Sequence, residues 1–408
     1  MRRIESYRRS AFALLVLIAV SLAMPTYAQT FSVVYNLGSR STDPANPTYS
    51  GIVVQGRDGN LYSTSSGGGA HEGGAVFEIS PAGKLRVRYS FCAQTNCTDG
   101  YLPYGGLTLG LDGNFYGTSS NGGSQGYGNV FKMAPNGSLT VLYDFTNGND
   151  GATPIAPPIQ GTDGSLYGTA ELGGRSHCGT LYRITASGSF TLLYGFDSIH
   201  GCYPMGPLVL GTDGNYYGAT GNGGTTGAGV VFQLKSTGKV TVLSNFDGTH
   251  GSEPFGPLVQ GSNGNFYGTT SAGGTANAGV VFRVTPTGGL TVLHDLNGTT
   301  DGSRPVAGLV QATDGNFYGA NEGNVTCTGC GNLFQITPAG NYSVLYNFDG
   351  TTGEKPLVTP LQHTNGLVYG DTFSGGSGEL CVGGRSGCGV FYSWGASAGI
   401  RHPSSVFG

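Results

Sequence analysis

A stretch of seven residues, Gly-Asn-Phe-Tyr-Gly-Thr-Thr at 264–270, returns with small changes along the whole chain. Its central tyrosine marks seven copies, spaced 50 to 54 residues apart: Tyr62, Tyr116, Tyr167, Tyr217, Tyr267, Tyr318 and Tyr369. So even a spacing indicates one supersecondary unit that is repeated seven times. The repeat constrains the architecture, whereas no constellation of residues in it names a reaction.

Each unit contains four short apolar segments, which in the fifth unit are 257–260, 266–270, 280–284 and 290–296. Asn263-Gly264 and Pro286-Thr287-Gly288 are turn signals between the outer pairs of segments, and a glycine-rich loop separates the middle two. Four antiparallel strands per unit predict an all-β fold, a seven-bladed β-propeller of four-stranded blades. A solenoid is the main alternative, but its common repeats are shorter or helical, and no helical periodicity is present.

The two ends of the chain complement each other. The last unit supplies only three strands, near 360–362, 367–369 and 390–392. Residues 31–37 match the fourth-strand pattern of residues 139–145. We therefore expect the N-terminal strand, residues 31–37, to complete blade seven and close the ring, which leaves no unpaired inner edge.

The composition fits this fold and excludes two other classes. Glycine is abundant, with 76 residues of 408, but it does not fall at every third position as collagen requires. Aromatic residues make up 11% of the chain and lie in short β-type runs, which argues against disorder.

Residues 1–28 are predicted to be a signal peptide. Four arginines precede an apolar run at 11–24, which is short for a membrane span, and Thr26 and Ala28 suit cleavage near Ala28. An uncleaved anchor helix is the alternative. We expect a single propeller domain at 29–396 and a loose tail at 397–408.

The mature chain is predicted to be secreted, periplasmic or at the cell surface. No later apolar stretch follows the signal peptide, so we expect no membrane span. The signal peptide holds four Arg and one Glu, so 19 basic and 23 acidic residues fall to 15 and 22. No basic patch remains, and nucleic acid is therefore a poor candidate partner.

Turns alternate between the two ends of an antiparallel sheet, so the ring should have two unlike faces. The tight-turn face carries the short turns that join strands one to two and three to four of each blade. The long-loop face carries the loops between strands two and three and the crossings between blades. Loops held by a rigid scaffold often carry function, so we expect the long-loop face, with the channel mouth, to bind ligands.

The candidate ligand-binding residues on the long-loop face are His200, His250, Asp247 and Glu253. The two histidines occupy equivalent crossings of adjacent blades, where they could converge on a ligand or a metal. Scattered surface histidines are the commoner case.

The repeated residues of the motif itself have a structural interpretation. Gly117-Thr118 and its equivalents are expected to pack the blades. Asp112, Asp163, Asp213 and Asp314 open tight turns, where a carboxylate can cap backbone N–H groups. Calcium ligation is the alternative, but each turn offers too few oxygens. We expect no metal and no other cofactor.

The mature chain has eight cysteines, an even number that predicts disulfides in an exported protein. Spacing and strand pairing predict four local bridges on the long-loop face: Cys92–Cys97, Cys178–Cys202, Cys327–Cys330 and Cys381–Cys388. Cys327-Thr-Gly-Cys330 also fits a redox or zinc half-site. However, no helix is predicted there to lower a thiol pKa, and no second cysteine pair supplies zinc ligands.

The main functional hypothesis is a binding or interaction module for an extracellular ligand, carbohydrate or protein, because the seven units lack catalytic asymmetry. The alternative is an extracellular carbohydrate-active enzyme, a polysaccharide lyase or a glycoside hydrolase. Catalytic residues remain unknown, because the sequence places no carboxylate pair at the separation that glycoside hydrolysis needs.

Three features resemble the GloVer tandem-repeat family. They are the Asp-Gly-Asn-Phe-Tyr-Gly-Thr core, the Gly-Gly loop, and a third strand of the form Val-Phe-Lys/Arg-x-Thr-Pro-x-Gly. The likeness covers residues 31–394 in register across seven units. It implies bacterial export and an extracytoplasmic ring, and it implies no defined activity. Residues 395–408 hold neither the apolar tail nor the basic stop of anchored relatives.

Overall fold

The structure is a computed structural model that describes residues 29–48, 51–323, 329–381 and 387–395. The predicted signal peptide, residues 1–28, and the predicted tail, residues 397–408, lie outside the described residues. A short 3-10 helix spans Thr95–Cys97, and the other regular elements in the described residues are strands.

In chain order the strands are β1 (Thr30–Asn36), β2 (Pro44–Ala45), β3 (Val54–Gln55), β4 (Leu61–Ser65), β5 (Gly67–Gly68), β6 (Ala75–Ile79), β7 (Leu85–Ser90), β8 (Leu107–Leu109), β9 (Phe115–Ser119), β10 (Asn129–Met133), β11 (Leu139–Asp144), β12 (Ile159–Gln160), β13 (Leu166–Ala170), β14 (Thr180–Ile184), β15 (Phe190–Gly195), β16 (Val209–Leu210), β17 (Tyr216–Thr220), β18 (Val230–Leu234), β19 (Val240–Asn245), β20 (Val259–Gln260), β21 (Phe266–Thr270), β22 (Val280–Val284), β23 (Leu290–Asp295), β24 (Val310–Gln311), β25 (Phe317–Asn321), β26 (Asn332–Ile336), β27 (Tyr342–Asn347), β28 (Leu361–Gln362), β29 (Val368–Asp371) and β30 (Val390–Gly395).

The strands form seven four-stranded antiparallel blades, as the repeat predicts. Blade one is β3-β4-β6-β7, and blades two to six are the successive groups of four from β8 to β27. Blade seven is β28-β29-β30-β1. A small extra sheet pairs β2 with β5 at the entry to blade one.

The N-terminal strand closes the ring, which confirms the prediction for residues 31–37. Strand β1 pairs antiparallel with β30, so that Phe31 lies opposite Trp394. The pair contains a register shift between Val33 and Tyr35, and the third and fourth strands of the other six blades contain a shift at the equivalent place. Strand β1 is therefore a fourth strand in full register with the repeat.

Burial between blades holds the ring together. One cluster of buried apolar side chains lies at each of the seven junctions between neighbouring blades. At the closing junction, Tyr369 and Phe391 of blade seven pack with Leu61 and Phe77 of blade one. Because both sheet faces are covered in this way, the second and third strands are buried almost throughout.

The Phe-Tyr pair of the motif explains this packing. Successive side chains of a strand point to opposite faces, so each pair contacts both neighbouring blades. The Tyr267 ring lies 4.1 Å from the Phe317 ring of the next blade, and Phe266 lies 3.9 Å from Tyr217 of the blade before. The motif threonine also joins blades, because Thr269 Oγ1 donates to a carbonyl of the next crossing at 2.9 Å.

The motif aspartates cap their turns, as predicted. Asp112 Oδ1 accepts the Asn114 N–H at 3.1 Å, and Asp112 Oδ2 accepts the Tyr116 hydroxyl at 2.8 Å. The Asn263-Gly264 turn differs in one respect from a hairpin turn with two left-handed residues. Only Gly264 has a positive φ, at 80°, and Asn263 instead uses its side chain to accept the Asn265 N–H at 3.2 Å.

Candidate functional site

Each crossing on the long-loop face contains one residue with a left-handed backbone directly before a proline. These seven residues, called here the pre-proline ring, have φ between 53° and 61° and are Asn46, Leu102, Thr153, Tyr203, Glu253, Arg304 and Lys355. This conformation is uncommon for residues other than glycine, and it persists only where the surrounding structure fixes it.

Two backbone hydrogen bonds fix each position of the pre-proline ring. The Glu253 N–H donates to the Ala228 carbonyl of the preceding blade at 3.1 Å, and the Ser271 N–H of the following blade donates to the Glu253 carbonyl at 3.0 Å. The other six positions make the same pair of bonds, one to the blade before and one to the blade after. The ring therefore has one backbone geometry, which leaves its side chains free to differ.

The side chains of the pre-proline ring do differ, and three consecutive members are charged: Glu253, Arg304 and Lys355. A further carboxylate, Glu322, lies 3.6 Å from Arg304 Nη2 and 4.0 Å from Lys355 Nζ. Glu322 is 9% exposed, whereas the side chains of Arg304 and Lys355 are 60% and 41% exposed. One buried carboxylate thus lies within ion-pair distance of two largely exposed cations.

A second carboxylate occupies the position of Glu322 in another blade. Glu171 follows the second strand of blade three as Glu322 follows that of blade six, and burial raises its pKa. Burial also raises the pKa of Tyr104, and the charges of Tyr101 and Glu171 add to that increase. In the described part of the chain, no basic side chain pairs with Glu171.

The predicted histidines lie in the outer part of the crossings, and each has its own carboxylate. His200 Nδ1 lies 2.8 Å from Asp197 Oδ1, and His250 Nδ1 lies 2.8 Å from Asp247 Oδ2. The backbone N–H and the ring of His250 lower the pKa of Asp247 to about 2. No contact joins His200 to His250 within the described residues, so the structure does not bring the two together.

The neighbouring crossings show what these aspartates do. In four other crossings, the position of His200 and His250 is occupied by an aspartate: Asp43, Asp99, Asp150 and Asp301. Each of these aspartates accepts a hydrogen bond from a loop N–H and also bonds a side chain of the outer strand. Where histidine replaces it, Asp197 and Asp247 cap the loop from three residues earlier. Loop capping therefore accounts for Asp247, and only Glu253 of the predicted residues belongs to the pre-proline ring.

Three of the predicted disulfides are present, all on the long-loop face: Cys92–Cys97, Cys178–Cys202 and Cys381–Cys388. Cys178–Cys202 joins the loop of blade three to the crossing that leaves that blade. Cys330 is also in a disulfide, but its predicted partner, Cys327, lies outside the described residues. No group of three His, Cys, Asp or Glu side chains suited to a metal occurs in the ranges described.

Sequence reasoning missed Arg304 and Lys355. A signal for them exists in the sequence, because each precedes the proline that opens its blade. The position before the proline identifies seven equivalent residues. It does not show that Glu322, which lies between Arg304 and Lys355 in sequence, approaches both cations.

No helix in the described residues is long and apolar enough to cross a membrane. No curated protein matches the chain. Among solved structures, the extracellular domain of a protein assigned as a hybrid two-component system of B. thetaiotaomicron aligns with a TM-score of 0.55 at 12% identity, over 88% of this chain. The chain spans only 41% of that protein. The PQQ-bound aldose sugar dehydrogenase of Streptomyces coelicolor aligns with a TM-score of 0.49 at 12% identity, over 91% of this chain and 99% of that one.

At 12% identity, the likeness to the extracellular domain shows the fold alone. The sequence match is more informative, since the Gloeobacter/Verrucomicrobia repeat matches residues 22–227 and 205–399, which together contain all seven blades. With seven blades that repeat one motif in register, the chain belongs to the Gloeobacter/Verrucomicrobia repeat family.

Proposed function

We propose that the protein is an exported bacterial binding module whose long-loop face holds a carboxylate-bearing glycan. One observation carries the proposal: seven positions with the same backbone present seven different side chains, and two adjacent ones are exposed cations, Arg304 and Lys355. A rigid scaffold that varies only its side chains is typical of a recognition surface. Arginine suits carboxylates in particular, because its planar donors match their geometry.

Glu322 supports this assignment. It lies within ion-pair distance of both cations, whose side chains remain 60% and 41% exposed to solvent. A ligand carboxylate can then bind Arg304 and Lys355 without displacing a strong ion pair, because both contacts to Glu322 are long. The three disulfides support an extracytoplasmic location, since such bridges persist mainly in oxidising compartments.

The test is binding of polygalacturonate to the chain from residue 29 onward, measured by isothermal titration calorimetry. Methyl-esterified polygalacturonate is the matched probe, because it keeps the sugar and removes the charge. We expect Arg304→Thr and Lys355→Thr each to weaken binding about tenfold. Threonine is native at the equivalent Thr153, so both variants should fold.

Lys235→Thr on the tight-turn face is the control, and it should keep the affinity of the parent chain. Equal binding of the esterified polymer, or unchanged affinity in both ring variants, would reject the proposal. Absence of any binding to polygalacturonate would reject the ligand class.

The alternative, a polysaccharide lyase or glycoside hydrolase, makes a different prediction. It requires that the bound polymer be cleaved, which new unsaturated or reducing ends would reveal. The histidines do not single out an active site, because the same Asp–His pair recurs in two adjacent crossings, where each aspartate caps its loop. Turnover that depends on Glu171, whose pKa burial raises, would favour the enzyme instead.

A further inference from the structure

Blade one departs from the other six at one position of its fourth strand. In those six blades an aliphatic side chain from this position packs against the cluster at the junction with the next blade: Val34, Leu142, Leu193, Leu243, Leu293 and Leu345. In blade one the equivalent residue is Arg88. The junction between blades one and two therefore has an arginine where the other six junctions have an aliphatic side chain.

A buried carboxylate of the same blade holds the Arg88 guanidinium. Glu78 is 4% exposed, and it accepts hydrogen bonds from Arg88 Nε and, at 2.7 Å, from Asn60 Nδ2. In the other six blades the residue at the position of Glu78 is basic or neutral: Lys132, Arg183, Gln233, Arg283, Gln335 and Ser393. Glu78 and Arg88 are therefore a matched pair of departures from the repeat, which fixes the guanidinium against its own blade.

A cavity of about 340 Å³ lies at this junction, at the lower end of the size range of small-molecule sites. Arg88 lines it, and Tyr62, Leu109, Phe115 and Pro135 form its apolar wall. The rings of Tyr62 and Phe115 have centroids 4.3 Å apart. Because the other junctions place an aliphatic side chain at the position of Arg88, the apolar wall suits an aliphatic group of similar size.

Charged side chains of both signs line the rest of the cavity. Arg57 belongs to the turn between the first two strands of blade one, where the other blades have threonine, serine or leucine. Its Nη2 donates to the Leu111 carbonyl at 2.6 Å, and no carboxylate of the described residues forms an ion pair with it. Asp58 and Asp112, the turn aspartates of blades one and two, also line the cavity. Two guanidinium groups thus face two carboxylates across one small space.

This mixed lining suits neither a simple anion nor a simple cation. A lone carboxylate would face the two turn aspartates, and a lone ammonium group would face the two guanidinium groups, so repulsion would offset attraction in both cases. A zwitterion can pair with both signs at once. Arginine suits its carboxylate in particular, because the planar guanidinium donors match the geometry of a carboxylate.

We propose that this cavity binds a free α-amino acid with an aliphatic side chain. The ligand carboxylate accepts N–H groups of Arg57 and Arg88, and its ammonium group donates to Asp58 and Asp112. Its side chain lies against the apolar wall. The ligand thus supplies to the junction of blades one and two the aliphatic group that the fourth strand supplies elsewhere. This site lies on the tight-turn face and is separate from the pre-proline ring.

The probe is L-leucine, titrated into the chain from residue 29 onward and followed by calorimetry. Of its analogues, 3-methylbutylamine lacks the carboxylate, 4-methylpentanoate lacks the amine, and glycine lacks the aliphatic group. We expect L-leucine to bind at least about tenfold more tightly than each of the three. A smaller preference over any of them, or no binding of L-leucine, would overturn the proposal.

The decisive variant combines Glu78→Gln with Arg88→Leu. It should fold, because blades four and six have glutamine and leucine at these two positions, and it should abolish binding of L-leucine. The control is Arg183→Gln, which removes an arginine from the position of Glu78 in blade three, and it should keep the affinity of the parent chain.

A second variant tests the carboxylate contact and leaves Glu78 and Arg88 in place. Arg57→Thr should fold, since threonine is native at this turn position in four other blades, and it should weaken binding of L-leucine about tenfold. Full affinity in the double variant, or in a folded Arg57→Thr chain, would contradict the assignment. Polygalacturonate binding should be the same in every variant, because that site lies on the long-loop face.

Discussion

Asp371 places a carboxyl group at a buried position of the repeat where other blades have threonine. It occupies the position of Thr118, Thr169 and Thr269, and it is fully buried. Ser63 Oγ donates to one carboxylate oxygen at 3.1 Å, while the other oxygen has no partner among the described residues. Burial raises the pKa of Asp371 to about 8, and the bond from Ser63 opposes that rise only in part.

This pKa predicts that Asp371 weakens the fold as the pH rises. In the unfolded chain, the Asp371 carboxyl loses its proton above a pKa of 3.8, whereas in the folded chain it keeps the proton up to about pH 8. The stability that this protonated carboxyl contributes is therefore fully present below pH 3.8, and it is lost as the pH rises through about 8. We expect the unfolding free energy of Asp371→Thr, compared with that of the parent chain, to increase as the pH rises. The increase should reach at least about 1 kcal/mol near pH 8. Urea unfolding near pH 4 and near pH 8 measures this difference. A gain that does not change with pH would contradict the prediction.

Two glycines allow the energetic cost of a left-handed backbone to be measured separately from the cost of a steric clash. Gly264 and Gly279 have φ of 80° and 95°, but a Cβ on Gly264 would meet nothing within 4 Å. A Cβ on Gly279 would lie 2.1 Å from the Thr270 carbonyl oxygen. We expect Gly264→Ala to cost about 1 to 2 kcal/mol, the price of a left-handed alanine. Gly279→Ala should cost at least about 2 kcal/mol more.

Thermal and urea unfolding of the two alanine variants, side by side, checks this pair. Equal destabilisation would mean that the loop around Gly279 moves away from the new methyl group.

Single residues were predictable where the repeat determines their neighbours. Asp112 is an example, because its capping partners lie two and four residues away in sequence. The contacts of the two histidines were harder to predict. Asp197 and Asp247 look like ordinary exposed acids until the loop conformation turns them toward His200 and His250.

At the scale of the element, β1 should determine whether the last blade is closed. Phe31 stacks on Tyr346 with ring centroids 3.8 Å apart, and β1 covers the edge of β30. We expect a chain that starts at residue 38 to melt at a lower temperature than one that starts at residue 29, and to associate through the bare edge of β30. Calorimetry and light scattering measure both effects.

A synthetic peptide of residues 29–37 provides the control for this truncation. Added in excess, it should raise the melting temperature by mass action and suppress association. An unchanged melting temperature on truncation would show that β1 contributes nothing to closure.

Elements were the most predictable level of this structure. The second and third strands of blade five match the segments at 266–270 and 280–284 residue for residue, because glycine and proline mark their ends. The inner strand is shorter than the segment at 257–260, since only Val259–Gln260 pairs. The apolar residues before it belong to the crossing, where packing rather than strand pairing holds them.

At the scale of the whole molecule, the ring brings together residues that sequence reasoning treats separately. Leu109 and Leu210 are about two repeats apart, and they meet only because blades two, three and four converge on the central axis. A repeat count predicts the number of blades and the two faces. It does not predict which departures from the repeat share a cavity, because that depends on the curvature of the ring.

The pairing of β1 with β30 also determines when the ring can close during synthesis. Residues 37–389 lie between β1 and β30, so a chain emerging from the ribosome displays β1 long before its partner strand exists. Joining such distant segments is slow, because loop closure is entropically costly until the intervening blades have formed. Synthesis of the first six blades therefore cannot close the ring, which stays open until β30 has been made.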